Sequence, residues 1–250
     1  MSVTLRVGRS FLGIAMLGFG IEYFILGRFV SGLAPVPPWT PGGRIAAYVT
    51  GALLVAAGAC IAAGWQVRRA AGALAFLFVL SALVLHTQRF SGILHSGNIR
   101  TGAFEALALG AAALVLAAGA ATEGHRATTG WALWLGNFLF GFSMVIFGIQ
   151  HFMYAAYIAP LVTPWIPGHL FFVYFTGCAF IASGVSIITG VKGSLGALGM
   201  GVMFLLWVLV LHGPRVAAAL HNQGEWASLL VALGISGGGF VIAATLRNQD

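Results

Sequence analysis

Residues 169–190 read HLFFVYFTGCAFIASGVSIITG and contain no Asp, Glu, Lys or Arg. As a helix this run is about 33 Å long at 1.5 Å per residue, enough to cross the hydrocarbon core of a bilayer. Seven further stretches of the same kind follow from the same reading. The eight are Gly8 to Leu26, Arg44 to Gly64, Ala70 to Phe90, Thr101 to Ala121, Trp131 to Phe152, His169 to Gly190, Leu195 to Leu211 and Glu225 to Leu246. The composition agrees, with 60% hydrophobic residues, 7% charged residues and a mean hydropathy of +0.98 over 250 residues. A soluble globular domain and a disordered chain are both excluded. Continuous apolar runs rather than short alternating ones point to helices and not to a spanning barrel. Abundant Gly and Ala within the runs let helices approach closely, so a compact bundle is expected.

The twelve Lys and Arg residues give a net charge of +7, but they occur singly or in pairs and form no stripe for nucleic acid. They are read instead as topology signals. With eight spans the termini share one side, which holds Arg6, Arg9, Arg68, Arg69, Arg126, Lys192 and Arg247; the other side holds Arg28, Arg44, Arg89, Arg100 and Arg215. The excess favours cytoplasmic termini, as expected for a bacterial inner membrane protein. The first span is kept as structure, since no small-residue cleavage site with a hydrophilic mature domain follows it. Cys60 and Cys178 each lie alone in an apolar run, so neither a disulfide framework nor a thiol relay is indicated.

The chain repeats itself. At an offset of 126, Pro38, Trp39, Pro41 and Gly42 meet Pro164, Trp165, Pro167 and Gly168, and Tyr48, Thr50 and Gly51 meet Tyr174, Thr176 and Gly177. His86, Arg89 and His95 meet His212, Arg215 and His221 at the same offset, while Phe19-Gly20-Ile21 meets Phe147-Gly148-Ile149 at an offset two larger. A four-span unit, residues 1–121, is thus followed by a linker, 122–130, and a second unit, 131–250. An even number of spans per unit makes this a parallel repeat. The expected architecture is two four-helix bundles about a pseudo-twofold axis along the membrane normal. The proline-tryptophan loops are expected to be short interfacial segments. No GxxxxGK[ST], HExxH or GxGxxG pattern accompanies the repeat.

The loop Ala159 to Gly168, followed by Tyr174 to Gly177 opening the next helix, resembles the DoxX-like family of small four-helix membrane proteins. Its first copy is Ala34 to Gly42. The resemblance runs over nearly the whole chain, twice, and the fusion of two units departs from the family's single one. It implies a four-helix bundle per unit and a link to membrane oxidoreductase systems. Relatives include a subunit associated with thiosulfate:quinone oxidoreductase and partners of redox or detoxifying enzymes.

Titratable residues inside a bilayer are costly and mark candidate sites. They gather toward the end of the bundle opposite the termini. Glu22 lies near the end of the first span, His86 and His212 near the ends of the third and seventh, Glu105 in the first turn of the fourth, and His151 closes the fifth. Arg89, His95, Arg100, Arg215, His221 and Glu225 occupy adjoining loops, Glu225 as a first-turn residue. His86 and Arg89, three apart, share a helix face, and Glu22 is their expected counter-charge. The second unit has Gln150 for Glu22, His151 for Tyr23 and, in this reading, Leu229 for Glu105. The acid-containing site is therefore expected in the first unit.

Three functions compete for these residues. A quinone site needs an apolar groove for the tail, donors to the ring carbonyls and a carboxylate to exchange protons. His86, Arg89, Glu22 and Glu105 supply those groups, with His95, His151, His212, Arg215 and His221 as further ligand contacts. Haem ligation by His86 and His212 is the second possibility. The third is a scaffold or accessory subunit without chemistry, ahead of a small-solute transporter. No metal site is expected. The sequence carries no flavin, haem or iron–sulfur motif, so electrons for a quinone would come from a partner subunit or a small reductant such as a sulfur oxyanion.

Overall fold

The computed structural model describes residues 1–30, 36, 41–84, 96–120 and 126–247. Among these residues the regular structure is helical, joined by turns, with no strand. Eight helices are long and apolar enough to cross a membrane, as expected, and the protein is an integral membrane protein. They are Val3–Leu26, Gly43–Ala63, Val67–Val84, Gly97–Gly119, Gly130–Met153, His169–Thr189, Gly193–Ala218 and Gln223–Arg247, here called the first to eighth spans.

Two boundaries differ from the expectation. The fourth helix starts at Gly97, after Ser96, because Asn98, Arg100 and Thr101 are polar but helical. Glu105 therefore lies not in the first turn but about 12 Å along the helix. The helix of the fifth span starts at Arg126, so residues 126–130, within the expected linker, are helical.

Glycines at the helix crossings repeat as the sequence does. A Cβ on Gly13 would lie 2.7 Å from the Gly58 carbonyl oxygen, and one on Gly141 would lie 2.8 Å from that of Gly184. Gly20 meets Gly51 and Gly148 meets Gly177 in the same way, each at 2.7 Å from the carbonyl. Only residues without a side chain let two backbones meet so closely. Gly42 and Gly168, 126 apart, open the second and sixth spans at φ of +71° and +72°, a left-handed turn that glycine adopts without strain. Gln66 and Lys192, also 126 apart, share the left-handed region at φ of 49° and 56°.

The packing does not divide into two separate bundles. The first span packs on the second and the eighth, while the fourth packs on the third, the fifth and the eighth. The fourth and eighth spans thus form a shared central pair. In their most apolar windows 67% and 78% of residues are buried, against 22% to 50% in the other six spans. The cause is local sequence. Gly237, Gly238 and Gly239 step around the eighth helix at about 100° each and face three neighbours in turn. Gly237 meets Gly8 and Leu12 of the first span, Gly238 meets Ala112 of the fourth, and Gly239 meets Ala197 and Gly201 of the seventh. The corresponding stretch of the fourth span is Ala111-Ala112-Ala113, all fully or almost fully buried. Buried Ser236 donates to the Gly201 carbonyl at 2.8 Å, joining the eighth span to the seventh. A single apolar core runs through both units as a result.

Candidate functional site

At the end of the bundle opposite the termini, a cavity of about 640 Å³ opens between the fourth span and the spans of the second unit. Its apolar wall is aromatic. Phe180, Phe204 and Trp207 pack edge to face, with ring centroids 5.0 to 5.6 Å apart, and Phe147 joins Phe180 at 5.7 Å. Such contacts hold flat side chains in fixed orientations. Tyr154, Ile158, Val162 and Val173 extend the wall toward the surface.

The polar groups form the opposite part of the lining. Gln150 reaches from the fifth span to the fourth, donating through Nε2 to the Gly97 carbonyl at 3.1 Å and to Thr101 Oγ1 at 3.0 Å. Thr101 donates in turn to the Gly97 carbonyl. Thr101 and Glu105 are four residues apart and share a helix face, so Gln150 and Glu105 belong to one polar wall. The Glu105 carboxyl lines the cavity and is the one acid doing so among the described residues. The His151 ring lies over Phe180 and Trp207, at 5.1 and 6.4 Å, with Nδ1 2.8 Å from the Phe147 carbonyl. A carbonyl only accepts, so Nδ1 carries the hydrogen.

His212 enters from the seventh span, where residues Val208–His212 form a π-helical turn. The turn has a covalent cause. Pro214 has no N–H for the Val210 carbonyl four residues back, and the wider turn relieves the clash of its ring with that carbonyl. The Gly213 N–H bonds to the Val208 carbonyl instead. Arg215 lies one turn beyond and is paired with Glu225 at 2.8 Å. The mouth is fixed by Arg100, which donates to the Tyr154 hydroxyl at 2.7 Å and lies 5.7 Å from the ring centroid.

The residues expected from sequence fall into three groups. Glu105, His151, His212 and Arg215 line this cavity. His86, Arg89 and His95 lie outside the described residues, as does Trp39. Glu22 and His221 are elsewhere: His221 is exposed, and Glu22 is buried in the first span away from the cavity lining. Arg28, the arginine nearest to Glu22 in the chain, donates to Gln223 at 2.6 Å. The fourth and eighth helices start 126 residues apart, at Gly97 and Gln223, and that offset puts Glu105 opposite Val231 and not Leu229. Gln150, Thr101 and the aromatic wall were not singled out from sequence. Phe204 and Trp207 are three apart on one face, but an apolar helix offers no sign that this face borders a cavity.

Both Glu22 oxygens are buried without a hydrogen-bond partner among the described residues. Its counterpart Gln150 uses an amide to reach the Gly97 carbonyl, and the counterpart of Gly97 is Gln223. Glu22→Gln is therefore expected to gain the equivalent bond and raise stability by about 1 kcal/mol. Equilibrium unfolding in detergent measures it, and a loss of stability would mean that Glu22 has a partner the repeat does not reveal.

Comparisons with protein families, with curated proteins and with solved structures find no match to this chain.

Proposed function

We propose that this protein is the membrane subunit of a redox system and binds a quinone or similar lipid-soluble molecule in the cavity between the fourth span and the second unit. The observation that carries the reading is the pairing, in one cavity at the end of the helical bundle, of a rigid aromatic wall with Glu105, His151 and His212. A flat ring stacks on the aromatic side, the lipid-soluble tail lies along the apolar residues, and the polar wall meets the ring oxygens. Glu105 is the group placed to exchange the proton that accompanies an electron. The resemblance of the Ala159 to Gly168 loop to DoxX-like proteins supports the same reading, with electrons supplied by a partner subunit or a sulfur oxyanion. Cytoplasmic termini in a bacterial inner membrane, the orientation favoured by the basic residues, would put the cavity toward the outer leaflet.

A photoreactive quinone analogue, incubated with the purified protein and irradiated, is expected to label peptides carrying Trp207 and Tyr154. Excess unlabelled quinone should remove the label. Labelling confined to lipid-facing residues such as Phe76 and Leu206, and insensitive to competitor, would sink the proposal.

A scaffold role is the second reading. The third and seventh spans, equivalent in the repeat, are the least buried, at 22% each, and offer matching faces to other membrane proteins. That role predicts tolerance of changes at Glu105 and sensitivity to bulky changes on those faces.

A further inference from the structure

We infer that the ligand is a long-tailed lipid whose tail stays in the bilayer, leaving the cavity between the short segment 155–161 and the start of the sixth span. The inference rests on the cavity being the quinone site proposed above. A volume of about 640 Å³ suits a drug-sized molecule, so a chain of many isoprene units cannot be enclosed whole. Among the described residues of the lining, the exposed ones are of two kinds. Asn98 and Ser228, near the starts of the fourth and eighth spans, are polar. Tyr157, Leu161 and Phe172 are aromatic or aliphatic. Tyr157 belongs to the short helix Ala155–Ile158 and Leu161 to the 3₁₀ turn Ala159–Leu161, and both elements pack on the sixth span, where Phe172 lies in the first turn.

Elsewhere the helices around the cavity are joined. A Cβ on Gly148 would lie 2.7 Å from the Gly177 carbonyl oxygen, so the fifth and sixth spans meet backbone to backbone and leave no room for a chain. Gly239 meets Gly201 in the same way, and Arg215 pairs with Glu225, between the seventh and eighth spans. Phe180 packs on Phe204 and Trp207 between the sixth and seventh. Gln150 crosses from the fifth to the fourth, where a Cβ on Gly97 would lie 2.9 Å from the Tyr154 ring. The fourth and eighth spans form the central pair. The segment 155–161 is held differently, by a small cluster of Ala155, Ala159 and Val173 that is separate from the main core. Outside it the apolar surface continues. The Phe172 ring lies 5.4 Å from that of Phe171, and Phe171 stacks on Phe175 one turn further at 6.0 Å. Phe171 and Phe175 are 65% and 57% exposed, so an apolar track leads from the cavity to the outer face of the sixth span, where a tail can bury its surface.

The test uses a ubiquinone-4 analogue with a diazirine on its last isoprene unit, irradiated with the full-length protein in phosphatidylcholine nanodiscs. Label is expected on the peptide carrying Phe171, Phe172 and Phe175, and excess ubiquinone-4 should remove it. Competitor-sensitive label on Leu206 or Leu209 of the seventh span, or on Asn98 or Ser228, would overturn the path and leave the site standing. The absence of competitor-sensitive label anywhere would overturn the site itself. Phe172→Asp gives a second measurement, since it sets a charge on the track. The factor by which ubiquinone-4 binds more tightly than ubiquinone-0 should fall by about tenfold or more relative to the unaltered protein, with ubiquinone-0 binding kept within about threefold. An equal loss for both ligands would place Phe172 at the ring and overturn the path.

Discussion

Gly237→Val is expected to lower the unfolding midpoint of the detergent-solubilised protein by about 6 to 12 °C, corresponding to about 3 kcal/mol. A Cβ at this position would lie 2.6 Å from both the Gly8 carbonyl oxygen and the Leu12 amide nitrogen. Both are backbone atoms of a packed helix, so no side-chain rotation relieves the clash. The first span would have to move away from the eighth, opening the contact that ties the two units together at that side. Gly72→Val and Gly199→Val are the controls. Nothing lies within 4 Å of a Cβ at either position, so their midpoints should stay within about 2 °C of the unaltered protein. Loss of helical circular dichroism on heating measures all three. Equal effects at the three positions would show that glycine matters here for backbone freedom and not for close approach.

The second large effect is on ligand binding. Ala232→Phe is expected to weaken quinone and quinol binding at least tenfold, and Glu105→Leu to weaken quinol binding by as much, about 1.4 kcal/mol, by different routes. Ala232 is 2% exposed and lines the cavity from the eighth span, so a phenyl ring there occupies ligand space. Glu105→Leu keeps the bulk and removes the one acid on the wall. Glu22→Gln should leave binding within about twofold, because Glu22 does not line the cavity. Direct binding measurements on folded variants check all of these. A tenfold loss in Glu22→Gln, with Glu105→Leu unaffected, would return the site to the first unit.

That contrast shows where the sequence was informative. Spans such as His169–Thr189 were legible because bilayer crossing is a matter of length and composition. The repeat was legible too, and it reaches down to single backbone angles at Gln66 and Lys192. The sequence could not reveal that the fourth and eighth helices pack as a shared pair. Ala111-Ala112-Ala113 and Gly237-Gly238-Gly239 resemble the small residues of any other span until their three neighbours are seen.

The site followed from that packing. Titratable residues were found by their cost in a membrane, which picks out Glu22, Glu105, His151 and His212 alike. Which of them meet depends on the fourth span leaning on the fifth. Glu105 is thereby carried away from its own unit and placed beside Gln150, His151 and His212. The aromatic wall was invisible for a related reason. Phe180 comes from the sixth span and Phe204 and Trp207 from the seventh, and only the fold puts them edge to face.

What the cavity holds decides the function of this protein. The most direct measurement is organic extraction and mass spectrometry of the protein purified in mild detergent, with its visible absorption spectrum recorded first on the same sample. Close to one quinone or quinol per chain is the expected result, lost in Ala232→Phe. Bilayer lipids alone, or a haem band in the spectrum, would contradict it.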